Sequence, residues 1–120
     1  MSTSDTCCSI SPYFTVQEGK MDEFKALTEQ FVERTQTEEG VLYYGFAYHE
    51  NIAFCREGYV DADATLAHLK NVGKLVEQAL TMSSLDRLEI CGPESELEKL
   101  RGPLSGLNPT YYVLESGFRR

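Results

Sequence analysis

The order of hydrophobic periodicities in this sequence predicts an α+β fold: a βαββαβ core with an antiparallel sheet, then a short helix and one more strand. Three observations carry the prediction. Apolar residues recur three or four apart in two stretches, from Met21 to Phe31 and from Leu66 to Leu80, which is the helical period. Residues 9–16, 41–48, 52–60 and 85–91 are rich in β-branched and aromatic side chains. Glycine, proline and short polar clusters separate these stretches.

The first strand, residues 9–16, rests on Ile10, Tyr13, Phe14, Thr15 and Val16, and Gln17-Glu18-Gly19-Lys20 breaks it. A helix follows over 20–37. Met21, Phe24, Leu27, Phe31 and Val32 form its apolar face, and Asp22 and Glu23 suit the positive end of its dipole. Gly40 ends the polar stretch beyond it. Residues 41–48 form the second strand, and His49-Glu50-Asn51 turns the chain into the third, 52–60. Asp61 or Asp63 caps a second helix with apolar positions Leu66, Leu69, Val72, Val76 and Leu80. Gly73 either kinks this helix or divides it. A fourth strand covers 85–91. Pro93 at the first helical position and Gly102-Pro103 past the end bracket a short third helix holding Leu97 and Leu100. Residues 110–115 are a fifth, aromatic strand. The core order is ferredoxin-like, with both main helices on one face of the sheet. The chain reads as one domain over residues 1–120, with a core at 9–91 and a C-terminal extension at 92–120.

The 120 residues include 11 Lys+Arg and 19 Asp+Glu, a formal charge of −8. Hydrophobic residues at 42% and charged residues at 25% are a globular composition, not a disordered one. Scattered basic residues in an acidic chain speak against nucleic acid and against an anionic membrane surface. The longest apolar run, residues 41–48, is interrupted by Gly45 and falls well short of the roughly 18 residues of a membrane span. Met1-Ser2-Thr3-Ser4-Asp5-Thr6 lacks the basic start and apolar stretch of a signal peptide. A cytoplasmic protein is expected, with Cys7, Cys8, Cys55 and Cys91 reduced, the alternative being a Cys55–Cys91 bridge. No CxxC, HxxxH or HExxH pattern marks a metal site, no glycine-rich loop marks a nucleotide, and no GxSxG marks a serine hydrolase. Neither metal nor cofactor is expected.

Strand 41–48 is apolar on both faces, at Val41, Tyr43 and Ala47 and at Leu42, Tyr44, Phe46 and Tyr48. Two helices cover only one face of a sheet. An exposed apolar second face is avoided by soluble monomers, so a homodimer paired sheet against sheet is expected. Residues 111–114 are expected to cross over and pair with an edge of the partner, which removes an open strand edge.

Two segments carry a resemblance. Gly19-Lys20-Met21-Asp22-Glu23-Phe24 opens the first helix, and Glu57-Gly58-Tyr59-Val60-Asp61-Ala62-Asp63-Ala64-Thr65-Leu66-Ala67-His68 joins the third strand to the second helix. Together they resemble the antibiotic biosynthesis monooxygenase domain, a family of dimeric α/β barrels, across residues 9–91. The resemblance implies a cleft between sheet and helices in each subunit and a dimer with paired sheets. It also implies oxidation of quinols or polycyclic phenols by dioxygen without a cofactor, as some members perform. Glu57, Tyr59 and His68 match the family's Glu, aromatic residue and helical His. Tyr59 stands where the family usually has Trp, Asn71-Val72-Gly73-Lys74 stands where many members have a second His, and Ser9 and Ser11 stand where several have Asn. The region that ligates haem in haem-degrading members holds Glu77, Gln78 and Ala79, so haem is not expected.

On this reading His68 accepts a phenolic proton near neutral pH. Tyr59 positions the aromatic ring, and Arg87 stabilises negative charge on a phenolate or superoxide. Glu57, Tyr44 and Phe46 contact the substrate. Each residue also has a plainer role. His68 can make a structural hydrogen bond at the core boundary, and Tyr59 can be an ordinary buried tyrosine with its hydroxyl satisfied. Glu57 can pair with an arginine such as Arg87, and Arg87 with a glutamate across strands. Tyr44 and Phe46 can be core. Two functions therefore stay open: a cofactor-independent monooxygenase acting on a small aromatic or quinol-type substrate, or a non-catalytic dimeric barrel that binds an apolar molecule or serves as an interaction module.

Overall fold

Alternation in the first strand sets the layers. In β1 (Cys8–Val16) every second side chain is buried, from Cys8 and Ile10 through Phe14 to Val16, which leaves Ser9, Ser11, Tyr13 and Thr15 on the opposite face. The computed structural model describes residues 4–120. After β1 come α1 (Met21–Thr35), β2 (Val41–His49), β3 (Ile52–Tyr59), α2 (Ala62–Asn71), α3 (Gly73–Ala79), β4 (Ser83–Gly92), α4 (Glu94–Arg101), a 3₁₀ turn (Ser105–Leu107) and β5 (Thr110–Val113). The strands lie in the order β2-β3-β1-β4-β5. The α+β, ferredoxin-like core is as the sequence predicts, and Gly73 divides the second helix into α2 and α3. Asp61 is the cap of α2: its carboxylate accepts from the Ala64 amide at 2.8 Å.

Three features differ from the sequence expectation. The sheet is mixed: β1 to β4 are antiparallel, but β5 runs parallel to β4 of its own chain, with Ile90 opposite Tyr111 and Cys91 opposite Tyr112. The reason is the crossover through α4, which carries the chain back from Gly92 so that Thr110 sets off beside Glu89 and runs along the last residues of β4 in the same direction. Residues 110–113 are thus used within the chain. The sheet is open and does not close into a barrel. Pro93 precedes α4 in extended conformation (φ −70°, ψ 151°), and its carbonyl accepts from the Glu96 and Leu97 amides.

The helix-free face is also less apolar than the second strand alone suggests. Tyr13 and Phe54 meet there with ring centroids 4.9 Å apart, and Tyr43 and Ile52 are 38% and 40% exposed. Around them stand Ser9, Ser11 and Thr15 of β1 and Asp86, Arg87 and Glu89 of β4. The polar positions come from strands whose alternation places charge and hydroxyls on this side. A register shift between Val41 and Tyr43 turns Val41 toward the helices, where it packs beside Tyr59 and Ile90 in the helix-side core.

The core has two parts. Phe24, Leu27 and Phe31 of α1 pack on Phe14, Val16 and Ala53 of the sheet, joined by Val72, Leu75 and Ala79. Cys8, Ile10, Tyr59 and Ile90 pack with Leu97, Leu100 and Leu104 from the C-terminal extension. Fully burying such side chains stabilises the fold by about 2 kcal/mol each. The Glu96 carboxylate accepts from the Ala62 amide at 3.0 Å and ties α4 to the start of α2. The site lies between these helices and the sheet.

Candidate active site

β3 presents Ala53, Cys55, Glu57 and Tyr59 on its helix side, and all four are buried. Register places Tyr44 of β2 opposite Glu57 and Phe46 opposite Cys55. The Tyr59 hydroxyl donates to Glu57 Oε1 at 2.6 Å. His68, late in α2 and buried, brings Nε2 to 3.3 Å from the same Oε1. Its Nδ1 lies 2.9 Å from Glu38 Oε2 and 3.2 Å from Oε1. Glu38 sits just past α1 and is held in turn by Asn71, whose Nδ2 donates to Glu38 Oε2 at 2.8 Å and to the Arg34 carbonyl at 3.1 Å. His68 and Asn71 are three residues apart on α2, so they share a face and reach the same carboxylate. Tyr44 and Tyr59 flank the imidazole, with centroid separations of 5.2 and 5.0 Å.

Burial dominates the electrostatics. It pushes the Glu57 carboxyl up to about 7, with the Glu38 charge adding to the rise and the Tyr59 hydroxyl and Cys55 thiol opposing it. Burial also pushes the His68 imidazolium down from its ordinary value, against the pull of Glu38. The Cys55 thiol and the Tyr44 and Tyr59 hydroxyls are all raised by burial and stay protonated. Near neutral pH the arrangement is a neutral imidazole with its Nδ1–H donated to Glu38. Its Nε2 lone pair then faces a carboxyl group poised to hold or release a proton.

A cavity opens beside this cluster between sheet and helices. Its volume is about 90 Å³. Phe14, Phe31, Phe46, Val72 and Leu88 contribute apolar wall, while Tyr44, Cys55, Glu57 and His68 supply the polar groups. Among the described residues no Lys or Arg lines it. Among the described residues no cluster of His, Cys, Asp and Glu is arranged to hold a metal ion.

The structure brings together His68, Glu57, Tyr59, Tyr44 and Phe46. Tyr59 does not line the cavity; it stands behind Glu57 and spends its hydroxyl on that carboxyl. Glu57 has His68 and Tyr59 as partners, not an arginine. Arg87 is elsewhere, on the helix-free face, stacked over the Tyr13 ring at 4.3 Å with Nε 3.3 Å from Glu89 Oε2. Its glutamate partner lies two positions along the same strand, not across strands as the plainer alternative has it. His49 is exposed at the hairpin turn. Glu38 is a member of the cluster that sequence reasoning did not single out, and Asn71 and Cys55 carried no site role there. Glu38 lies 30 positions from His68 in a polar stretch that reads as loop, so no local pattern marks it.

With this geometry in hand, comparison with solved structures is decisive. MupZ from Pseudomonas fluorescens is 40% identical and superposes with a TM-score of 0.95, covering 100% of this chain and 94% of that one. The chain belongs to the family of MupZ. The fold is shared more widely. A putative antibiotic biosynthesis monooxygenase from Nitrosomonas europaea, 15% identical, covers 77% of this chain and 94% of its own with a TM-score of 0.69. SnoaB, a cofactor-independent oxygenase from Streptomyces nogalater, is 16% identical and covers 71% of this chain and 90% of its own with a TM-score of 0.63. The resemblance to the antibiotic biosynthesis monooxygenase domain therefore holds as a shared fold. No family model and no curated protein matches the sequence.

Proposed function

We propose that this chain is an enzyme that moves protons on a small apolar molecule held in the cavity, with Glu57 and His68 as the acid–base pair. The observation that carries the reading is the 3.3 Å separation of His68 Nε2 from Glu57 Oε1 at the wall of an otherwise greasy cavity. Burial drives the two pKa values past each other, so an acid and a base coexist near neutral pH. Tyr59 holds the Glu57 carboxyl and Glu38 holds the imidazole; both are positioning residues. Tyr44 and Phe46 contact the substrate.

Within that frame the reaction is cofactor-independent monooxygenation of a small aromatic or quinol-type substrate. His68 takes a phenolic proton, and the electron-rich anion reduces dioxygen. One oxygen atom becomes a carbonyl on a ring carbon ortho or para to the phenolic oxygen, which itself becomes a carbonyl, and the other leaves as water with the hydrogen of that carbon and the phenolic hydrogen. Glu57 supplies a proton to the departing oxygen. A second reading is favoured by Glu57 itself. A buried carboxylic acid steadied by a phenol and adjacent to an imidazole also suits a redox-neutral reaction, such as isomerisation or the addition or elimination of a hydroxyl.

Oxygen uptake with a panel of quinols and polycyclic phenols tests the choice, with His68→Ala and Glu57→Gln beside the wild type. Uptake that is lost in both variants supports the monooxygenase. No uptake above a heat-treated control, together with conversion of a hydroxylated or unsaturated substrate that both variants lose, selects the redox-neutral reading. Binding without conversion of any kind leaves a non-catalytic ligand-binding protein.

The reading includes a homodimer formed through the helix-free face, with Tyr13, Phe54, Tyr43 and Ile52 at its centre, in the cytoplasm with reduced thiols. Light scattering at micromolar concentration checks it: twice the chain mass is expected, and Ile52→Asp should return the mass to that of one chain.

A further inference from the structure

One wall of the cavity comes from the C-terminal extension. Leu104 and Leu107 line it, and both belong to the segment after α4. Leu104 is 6% exposed and Leu107 is 45% exposed, so one is anchored and the other stands at the boundary with solvent. The segment is braced on both sides. Leu97 and Leu100 of α4 are fully buried, and the Leu104 amide donates to the Leu100 carbonyl at 3.0 Å. The Leu107 amide donates to the Leu104 carbonyl at 3.0 Å, and beyond it β5 pairs along β4. The turn is therefore positioned by packing and hydrogen bonds that do not involve the cavity.

Charge adds a second constraint. The titratable groups at the cavity wall are Glu57, His68, Tyr44 and Cys55, with the Glu38 carboxylate behind His68, and among the described residues no Lys or Arg lines it. An anion brought to this wall would lose its hydration beside carboxyl groups with no counter-charge. The part of the ligand that enters must be neutral.

We infer that Leu104 and Leu107 form a wall of the substrate cavity that selects a neutral, lipophilic molecule by the length of its apolar body. The inference rests on the reading that this cavity is the substrate site. It adds the ligand class and the residues that discriminate within it.

The test is displacement of N-phenyl-1-naphthylamine, a neutral fluorescent probe, from the intact chain by the straight-chain alcohols hexanol to tetradecanol and by the carboxylates of the same lengths. Wild type should bind the probe and prefer each alcohol to its carboxylate by about tenfold or more. Leu107→Trp should weaken the longest alcohols by about tenfold while sparing the shortest, and Leu107→Ala should move the tightest length upward. Leu107 is half exposed, so both variants keep the buried anchors, and an unchanged circular dichroism spectrum and Tm verify this. Identical length profiles in all three proteins, or equal displacement by alcohols and carboxylates, would overturn the inference. His68→Ala separates the two readings. A length profile intact in this variant, with no turnover found for the wild type, removes only the catalytic reading. Turnover lost in His68→Ala alongside a profile indifferent to Leu107 removes only the wall.

Discussion

Glu38 and His68, 30 positions apart in sequence, meet through a 2.9 Å contact between Oε2 and Nδ1. The contact fixes the tautomer: with Nδ1–H donated to a carboxylate, Nε2 is bare and faces Glu57. The carboxylate also opposes the effect of burial on the imidazole.

Glu38→Gln follows directly. The amide keeps the size and a hydrogen bond but removes the charge that favours the imidazolium, so the His68 pKa falls further. The acidic limb of the kcat/KM profile should then shift to lower pH, and kcat should fall by about tenfold or more as His68 becomes a weaker base. The sequence has only two histidines, His49 and His68, so a histidine NMR titration reads the shift. A purely structural role for Glu38 would lower stability and leave that titration where it is.

Tyr59→Phe removes the 2.6 Å donor from Glu57 while keeping the ring in place. That hydroxyl favours the carboxylate, so its loss raises the Glu57 pKa beyond about 7. If Glu57 works as the acid, the basic limb of the kcat profile should move to higher pH with KM nearly unchanged, because Tyr59 does not line the cavity. Leaving a buried carboxyl short of one donor should cost about 1–3 kcal/mol in urea unfolding.

These residues differ in how far the sequence discloses them. Helical and strand periods are local, so the element order and the split at Gly73 are legible. Glu57 and Tyr59 fall on one side of β3 by alternation, whereas His68 flanks the apolar stripe of the second helix in the sequence and only the packed structure shows it buried. Arg87 and Glu89 also share a side by alternation, but that rule does not say which side of the sheet it is. Only the pairing of β4 with β1 places them away from the helices. The direction of β5 depends on the path of α4, which periodicity does not report. Judging the helix-free face from β2 alone overstated its apolarity, because β1 and β4 contribute the hydroxyls and charges. Glu38 reaches the site through a loop, where no repeat exists to mark it.

Glu57 provides a stability signature that needs no substrate. Its carboxyl is raised from 4.5 to about 7 in the folded protein, chiefly by burial. Between these values the folded state binds more protons than the unfolded one. The contribution of Glu57 is therefore fully present below about pH 4.5 and is lost as pH rises through about 7. The loss amounts to about 3 kcal/mol at most. His68 acts with the opposite sign. Its lowered pKa means that the unfolded state takes up a proton first as pH falls through 6.5, so this residue favours the fold at higher pH. Glu57→Gln removes the first term and keeps the second. Urea unfolding from pH 5 to pH 8 should show the stability of the variant gaining on that of the wild type as pH rises, by up to about 3 kcal/mol. A difference between the two proteins that stays constant across this range would mean that Glu57 is ionised throughout, and the acid of the proposed pair would be lost.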